Sequence, residues 1–168
     1  MQEEKRKRLF QEILEKHKGI LFKVAGIYCR EEADRQDLVQ ETLVQVWQSL
    51  HRYDERFALS TWLYRVSLNI AISHYRKNRT RNESIIPLGE SVPQIPDADA
   101  SGKEQRLNLL HQFIAELRDL DKALMLLYLE EKSHAEIADI MGISATNVAT
   151  RIGRIKEILR KRFSSHKN

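Results

Sequence analysis

SHAEIADIMGISATNVATRIGRIKEILRKRF, residues 133–163, is the stretch whose reading decides the fold of this chain. Ser133-His134-Ala135-Glu136 reads as a capping box, the serine hydroxyl accepting from a first-turn amide and Glu136 returning the bond. It opens a short helix whose inward residues are Ala135, Ile137, Ala138 and Ile140. Gly142 supplies the positive φ that a tight corner between two helices requires. Ile143 packs inside, and Ser144 caps a second helix that Val148 and Ile152 anchor beneath the first. The small Ala138 suits a close crossing. This is the spacing of a DNA-reading helix-turn-helix: one helix braces while the next presents its N-terminal face to the major groove.

On that second helix the outward residues are Ser144, Ala145, Thr146, Asn147, Thr150, Arg151 and Arg154. Asparagine pairs with adenine and arginine with guanine, each good bidentate contact carrying about 1–3 kcal/mol of discrimination. The basic tail RIKEILRKRFSSHKN can neutralise phosphates, which makes binding salt-dependent. Any one of these charges taken alone fits a solvated helix face as well. The capping box, small alanine, glycine corner, second cap and basic helix taken together do not.

The rest of the sequence is consistent with an all-α protein that partners a polyanion. The chain has 168 residues, enough for one ordinary domain or two small ones. Its hydrophobic fraction of 42% supports a core, and 6 Gly and 3 Pro are too few for a turn-rich β protein. The net charge is +4 and the isoelectric point about 9.2, a basic balance that favours nucleic acid without specifying it. Cys29 is the single cysteine, so no internal disulfide or cysteine-based metal site forms; it reads as a small core residue. The six histidines show no ligand spacing, and no metal or cofactor is expected. MQEEKRKRLF is not followed by an apolar signal segment and no run is long enough to span a bilayer, so a cytoplasmic protein is expected.

From Leu9 to Arg79 the sequence reads as helix. Phe10, Ile13, Leu14, His17, Leu21, Val24 and Tyr28 recur at three- and four-residue steps. Asp34 is placed to cap a second helix whose apolar stripe is Leu38, Val39, Leu43, Val46, Trp47 and Leu50. Ser60 is placed to cap a third, with Trp62, Leu63, Val66 and Ile70 inward and Arg65, Asn69, Ser73, Arg76 and Lys77 opposite. All three prolines then fall in one polar stretch, read as a flexible linker over residues 80–103. Beyond it, Leu107, Leu110, Ile114 and Leu117 form a stripe, and Asp121 is placed to cap KALMLLYLEE. The expected organisation is two small helical domains, 1–79 and 104–168, joined by that linker.

The first block carries a resemblance that the helix-turn-helix alone does not. DLVQETLVQVWQSL, residues 37–50, resembles the helix by which bacterial sigma factors grip the clamp of core RNA polymerase. STWLYRVSLNIAISHYRKNR, residues 60–79, resembles their promoter-melting helix, and EIADIMGIS with NVATRIGRIKEILR resembles the domain that reads the minus-thirty-five element. The motifs stand in the family's order and cover nearly the whole chain, most like the extracytoplasmic-function (ECF) subfamily. The resemblance implies a non-enzymatic subunit that binds the beta and beta-prime subunits of core polymerase through Asp37, Gln40, Glu41 and Gln45. It implies minus-ten recognition and melting by Tyr53, Arg56, Phe57, Arg65, Asn69, Arg76 and Lys77, and upstream recognition by the helix-turn-helix. Trp47 and Trp62 sit on apolar stripes and are expected to pack rather than to touch DNA. The resemblance also implies an anti-sigma partner, and a linker whose Asp97 and Asp99 act as an acidic mimic of nucleic acid inside the polymerase. Departures are the missing proline in LRDLDKAL, Ala149 where relatives often carry a basic residue, and Gly153 where a bulky one is frequent.

Two other classes of protein compete for these residues. A stand-alone helix-turn-helix regulator, with an N-terminal effector or dimerisation domain, explains residues 133–163 equally well and predicts dimers on palindromic sites. It leaves DLVQETLVQVWQ and TWLYRVSLN unexplained. An enzyme would need a phosphate-cradling glycine loop, a metal ligand set or a nucleophile–base spacing, and the sequence offers none.

Overall fold

The computed structural model describes residues 2–83 and 102–167, and every described element is helical. The linker prolines Pro87, Pro93 and Pro96, together with Asp97 and Asp99, lie outside the described residues. Helix α1 spans Glu3–Glu12 and runs through a π-helical turn, Ile13–His17, into α2, Lys18–Tyr28. Helix α3 spans Glu32–Ser49 and ends in a 3₁₀ turn, Leu50–Arg52; α4 spans Leu59–Glu83. The second block comprises α5 (Gly102–Ala115), α6 (Asp119–Leu129), α7 (His134–Met141) and α8 (Ala145–Lys167).

The first block is a bundle in which α2 packs on both α3 and α4. The π turn inserts one residue per turn too many for a straight α-helical stripe. As a result Ile13, Leu21, Val24 and Tyr28 are buried as the spacing predicts, whereas Leu14 is turned out to solvent. On α4 the core face lies one step from the expected one. Leu63, Tyr64, Ser67, Leu68, Ala71 and Ile72 are buried, while Trp62, Val66 and Ile70 are only half-buried. Tyr64 and Leu68 are buried because α4 has a neighbour on each of two sides, the bundle on one and the second block on the other.

Three expected caps are not caps. Asp34 and Asp121 sit inside the first turns of α3 and α6, and Ser60 inside the first turn of α4. The acids still favour the positive end of the helix dipole there. At α6 it is Asp119 that accepts from the backbone, its carboxylate 2.9 Å from the Leu120 amide.

Helix α6 closes with a non-glycine residue in the left-handed region. Glu131 has φ of 60°, and the Lys132 amide reaches back 3.1 Å to the Leu127 carbonyl, the six-to-one bond of a Schellman ending. An L side chain is strained there, since Cβ crowds the following carbonyl. Glu131→Gly is therefore expected to raise stability by about 1 kcal/mol, less the extra freedom glycine gains in the unfolded chain. A rise of a few degrees in the thermal midpoint checks it, and an unchanged or lower midpoint counts against it.

The two blocks pack against each other: α6 meets α2 and α4, α7 meets α4, and α5 meets α2. The seam is polar and aromatic. The Tyr28 hydroxyl donates to the Asp119 carbonyl at 2.5 Å, and Arg76 pairs with the Asp119 carboxylate, also at 2.5 Å. Lys122, only 3% exposed, places its ammonium 4.2 Å from the Tyr75 ring centre and 5.6 Å from that of Tyr28. Burial, with Arg30 adding to it, holds the Lys122 pKa down, and burial drives the Tyr28 phenol up. Further along, Lys23 pairs with Glu130 at 2.7 Å and Lys132 lies over Tyr64, whose phenol burial pushes up to about 12. Cys29 is buried at the end of α2, its thiol pKa raised by that burial.

Candidate nucleic-acid interface

The helix-turn-helix is built by its two caps and one glycine. The Ser133 hydroxyl accepts from the Glu136 amide at 3.1 Å, starting α7. The reciprocal half of the expected box is not made: the Glu136 carboxylate lies 3.9 Å from the Lys132 ammonium instead. Gly142 adopts φ 70° and ψ 32°, and its amide donates 2.8 Å to the Ala138 carbonyl, closing α7. The Ser144 hydroxyl accepts from the Asn147 amide at 3.1 Å and starts α8. Ile137 and Ile140 of α7 and Val148, Ile152, Ile155 and Leu159 of α8 are buried. Ala138 is half-buried, and Ala135, expected inward, faces solvent because α7 has only α8, α6 and α4 to cover its other side.

With the corner fixed, Ser144, Ala145, Thr146, Asn147, Thr150 and Arg154 are exposed, and Arg151 is half-buried beside them. The Thr150 hydroxyl is turned back onto the Thr146 carbonyl at 3.0 Å. Among the described residues, Arg151 and Arg154 form no ion pair, whereas the tail behind them is partly engaged. There Lys156 stacks over Tyr128 at 4.1 Å, Arg160 pairs with Glu157 at 3.1 Å and Arg162 pairs with Glu116. Among the described residues the charge nearest the N-terminal end of α8 is thus the charge not held in an ion pair.

On α3 the residues expected to meet polymerase, Asp37, Gln40, Glu41 and Gln45, are exposed together, back to back with buried Leu38, Val39, Thr42 and Val46. Val44 stands among them, 55% exposed. The sequence reading passed over it, although its offset of seven from Asp37 and three from Glu41 places it on the same face. An apolar side chain ringed by polar ones is the composition of a protein-binding patch.

The loop between α3 and α4 is a preformed unit. The Tyr53 hydroxyl donates 2.7 Å to the Phe57 carbonyl, and the Phe57 amide donates 3.1 Å to the Asp54 carbonyl. Arg56 forks onto the Asp54 carboxylate, with Nη2 at 2.7 Å, and this hydrogen bonding holds the Asp54 pKa below the usual carboxylate range. Tyr53 packs on Trp62 with ring centres 5.6 Å apart; its phenol is raised by burial, then by Glu55 and Glu12. Phe57, at the rim, is 36% exposed. Along α4, Arg65, Asn69, Ser73, Arg76 and Lys77 are all exposed on the expected face, and Arg76 is engaged by Asp119 in this arrangement. Trp47 and Trp62 are both half-buried, and each carries an aromatic or cationic neighbour on its ring. No group of three or more His, Cys, Asp or Glu among the described residues could hold a metal, and no described helix is long and apolar enough to cross a membrane.

Comparison with known proteins accounts for both blocks at once. The sigma-70 region 2 profile matches residues 13–81, and the sigma-70 region 4 profile matches residues 107–159. The chain belongs to the sigma-70 family of RNA polymerase sigma factors. Its curated relatives place it in the ECF subfamily. It is 27% identical over 166 residues to the ECF RNA polymerase sigma factor SigW of Bacillus subtilis, covering 92% of this chain and 88% of the relative. It is 29% identical over 156 residues to the ECF RNA polymerase sigma-E factor of Haemophilus influenzae, covering 84% and 82%. Among solved structures it resembles RpoE bound to the anti-sigma factor NepR from Bartonella quintana, with a TM-score of 0.71 and 23% identity over 92% of this chain and 95% of that one. It also resembles CnrH in complex with the cytosolic domain of CnrY, with a TM-score of 0.68 and 22% identity over 95% and 90%. Both likenesses extend across the two blocks and concern the fold.

Proposed function

We infer that this chain directs core RNA polymerase to promoters by dividing three tasks among three surfaces. The outer face of α3, with Asp37, Gln40, Glu41, Gln45 and Val44, docks on the polymerase clamp. The loop Tyr53–Phe57 and the basic face of α4 receive the minus-ten element and hold its unpaired bases. The N-terminal turn of α8 reads the minus-thirty-five element in the duplex major groove. In domain terms, residues 1–79 serve the first two tasks and residues 104–168 the third, in the cytoplasm, where polymerase works. The chain makes no phosphodiester bond itself; polymerase does.

The observation that carries this reading is the presence, on one chain and in the family's order, of a capped helix-turn-helix and an α3 face whose exposed side is polar around one apolar residue. A stand-alone regulator has no use for the second. Opening DNA costs a few kcal/mol per unstacked base, which a rigid loop with an aromatic rim and a basic helix beside it is suited to offset. We also propose an anti-sigma partner. The packed arrangement of the two blocks resembles that of a sigma factor held by such a protein, and it leaves Arg76 tied to Asp119 instead of to DNA.

Run-off transcription with purified core polymerase on genomic promoter fragments tests the whole reading. New start sites that require this protein are the expected result. Duplex binding without polymerase, and no stimulation of transcription, would sink it in favour of the stand-alone regulator.

A further inference from the structure

Helix α1 lies outside the matched sigma-70 regions, which begin at residue 13, yet it is bolted to the part of the molecule that the minus-ten loop hangs from. The Arg6 guanidinium donates to the Trp47 carbonyl through Nε at 2.9 Å and Nη2 at 2.6 Å, and stacks 4.0 Å over the Trp47 indole. Trp47 stands in the last turn of α3, where backbone carbonyls have no intrahelical partner and the helix dipole presents negative charge. A forked cation is suited to that end, and its planar geometry lets it stack and donate at once. Phe10, one turn along α1, meets the same indole edge-on with ring centres 5.2 Å apart.

From that anchor the chain leads directly into the loop. The 3₁₀ turn Leu50–Arg52 follows α3, the Tyr53 amide donates 3.0 Å to the Leu50 carbonyl, and the Tyr53–Phe57 unit closes on itself. At the far side of the loop, Lys5 of α1 forms an ion pair with Glu55. So α1 grips the loop at its root through Arg6 and at its tip through Lys5, and neither residue is part of the loop. The ion pair is exposed at both ends and holds little energy alone. Its contribution is geometric, because it ties the tip of the loop to a helix outside the α3–α4 pair that the loop connects.

We propose that α1 is a positioning element for promoter opening: Arg6 and Lys5 set the aim of the Tyr53–Phe57 loop at the unpaired base, and so set minus-ten selectivity. This rests on the minus-ten reading of the loop given above. Arg6 and Lys5 touch the loop and its root, not the base, so their removal alters how well one base is told from another more than whether the protein binds polymerase.

The test compares run-off transcription from a promoter mapped with the wild-type protein and from the same promoter with single-base changes in its minus-ten element. For Arg6→Ala, and separately for Lys5→Glu, the ratio of output from the mapped to the altered template is expected to fall by about tenfold or less, within the range of one lost base discrimination. Affinity for core polymerase stays within about twofold, since the α3 face is untouched. The charge-swapped pair Lys5→Glu with Glu55→Lys is expected to restore the ratio, which a general loss of folding cannot mimic. A ratio that stays at the wild-type value in Arg6→Ala and Lys5→Glu, whatever happens to total output, overturns the proposal. If the wild-type protein itself yields no start sites, the loop reading fails and takes the proposal with it.

Discussion

Replacing Asn147 and Arg151 together by alanine is expected to erase upstream-element preference while leaving the fold and polymerase affinity intact. Asn147 is exposed in the first turn of α8 and Arg151 follows one turn later on the same side. The Asn147 amide, not its side chain, donates to the Ser144 hydroxyl, so the exposed side chain can be removed without undoing the cap. Each good bidentate base contact carries about 1–3 kcal/mol, so one residue changes preference by roughly 5- to 150-fold and two independent ones by up to the product. Stability is held by Val148, Ile152, Ile155 and Leu159 on the opposite face, none of which the substitutions touch. The measurement is binding of polymerase holoenzyme to templates varied at the upstream element, at one fixed salt concentration, since phosphate contacts shift every affinity together. Arg154→Ala is the useful contrast. If it only neutralises phosphate, it weakens all templates alike and reduces the salt slope by about one unit. Should the double variant keep its wild-type order of preference, base reading lies elsewhere on the molecule.

The parts of this molecule that were legible in the sequence are those governed by local rules. Gly142 takes the positive φ of the corner, and Ser133 and Ser144 cap the helices that follow them, each as its residue type and local position predict. The polar face of α3 and the basic face of α4 followed from helical spacing alone. Misreadings arose where tertiary neighbours decided the outcome. Tyr64 and Leu68 are buried because α4 has the second block on its flank, a fact no window of sequence holds. Leu14 is exposed because a π turn shifts the phase of the stripe between Phe10 and Leu21. Asp34, Ser60 and Asp121 have cap chemistry, but the helices begin two or three residues earlier than their positions suggest. Arg6 reads as one charge in KRKR, and nothing local marks it as the one that stacks on Trp47. Lys122 is the strongest case: a lysine in an apolar run reads as a surface residue at a helix start, yet it is buried between two tyrosines of the other block.

That buried lysine leads to the second large effect. Asp119→Arg is expected to open the molecule, raising its radius of gyration above the value of about 15 Å for a compact chain of this length. The carboxylate of Asp119 binds Arg76 and lies near Lys122, and a cation in its place would repel both. Like charges held together at a packed seam are costly, whereas parting the blocks lets water screen them. Opening follows from the proposed assignment of one promoter element to each block. Elements named minus thirty-five and minus ten lie about 25 base pairs apart, roughly 85 Å along the duplex at about 3.4 Å per pair. A compact body about 40 Å across cannot reach both. On the proposed division of tasks the packed form is one that polymerase or DNA has to open, and any energy holding it shut is subtracted from their binding. Asp119→Arg should tighten core-polymerase binding, by about tenfold for each 1.4 kcal/mol of seam energy removed. The wild-type seam is also pH-dependent. Burial lowers the Lys122 pKa in the packed form, so the open form binds more protons as pH approaches the ordinary 10.5. Closing is disfavoured while that lysine must enter charged, and strengthens as pH rises through its lowered pKa. Small-angle scattering and polymerase titration on the wild type and Asp119→Arg decide the matter. Equal size would mean that the Asp119 pair does not hold the seam shut, and a larger size with equal affinity that the seam does not oppose binding.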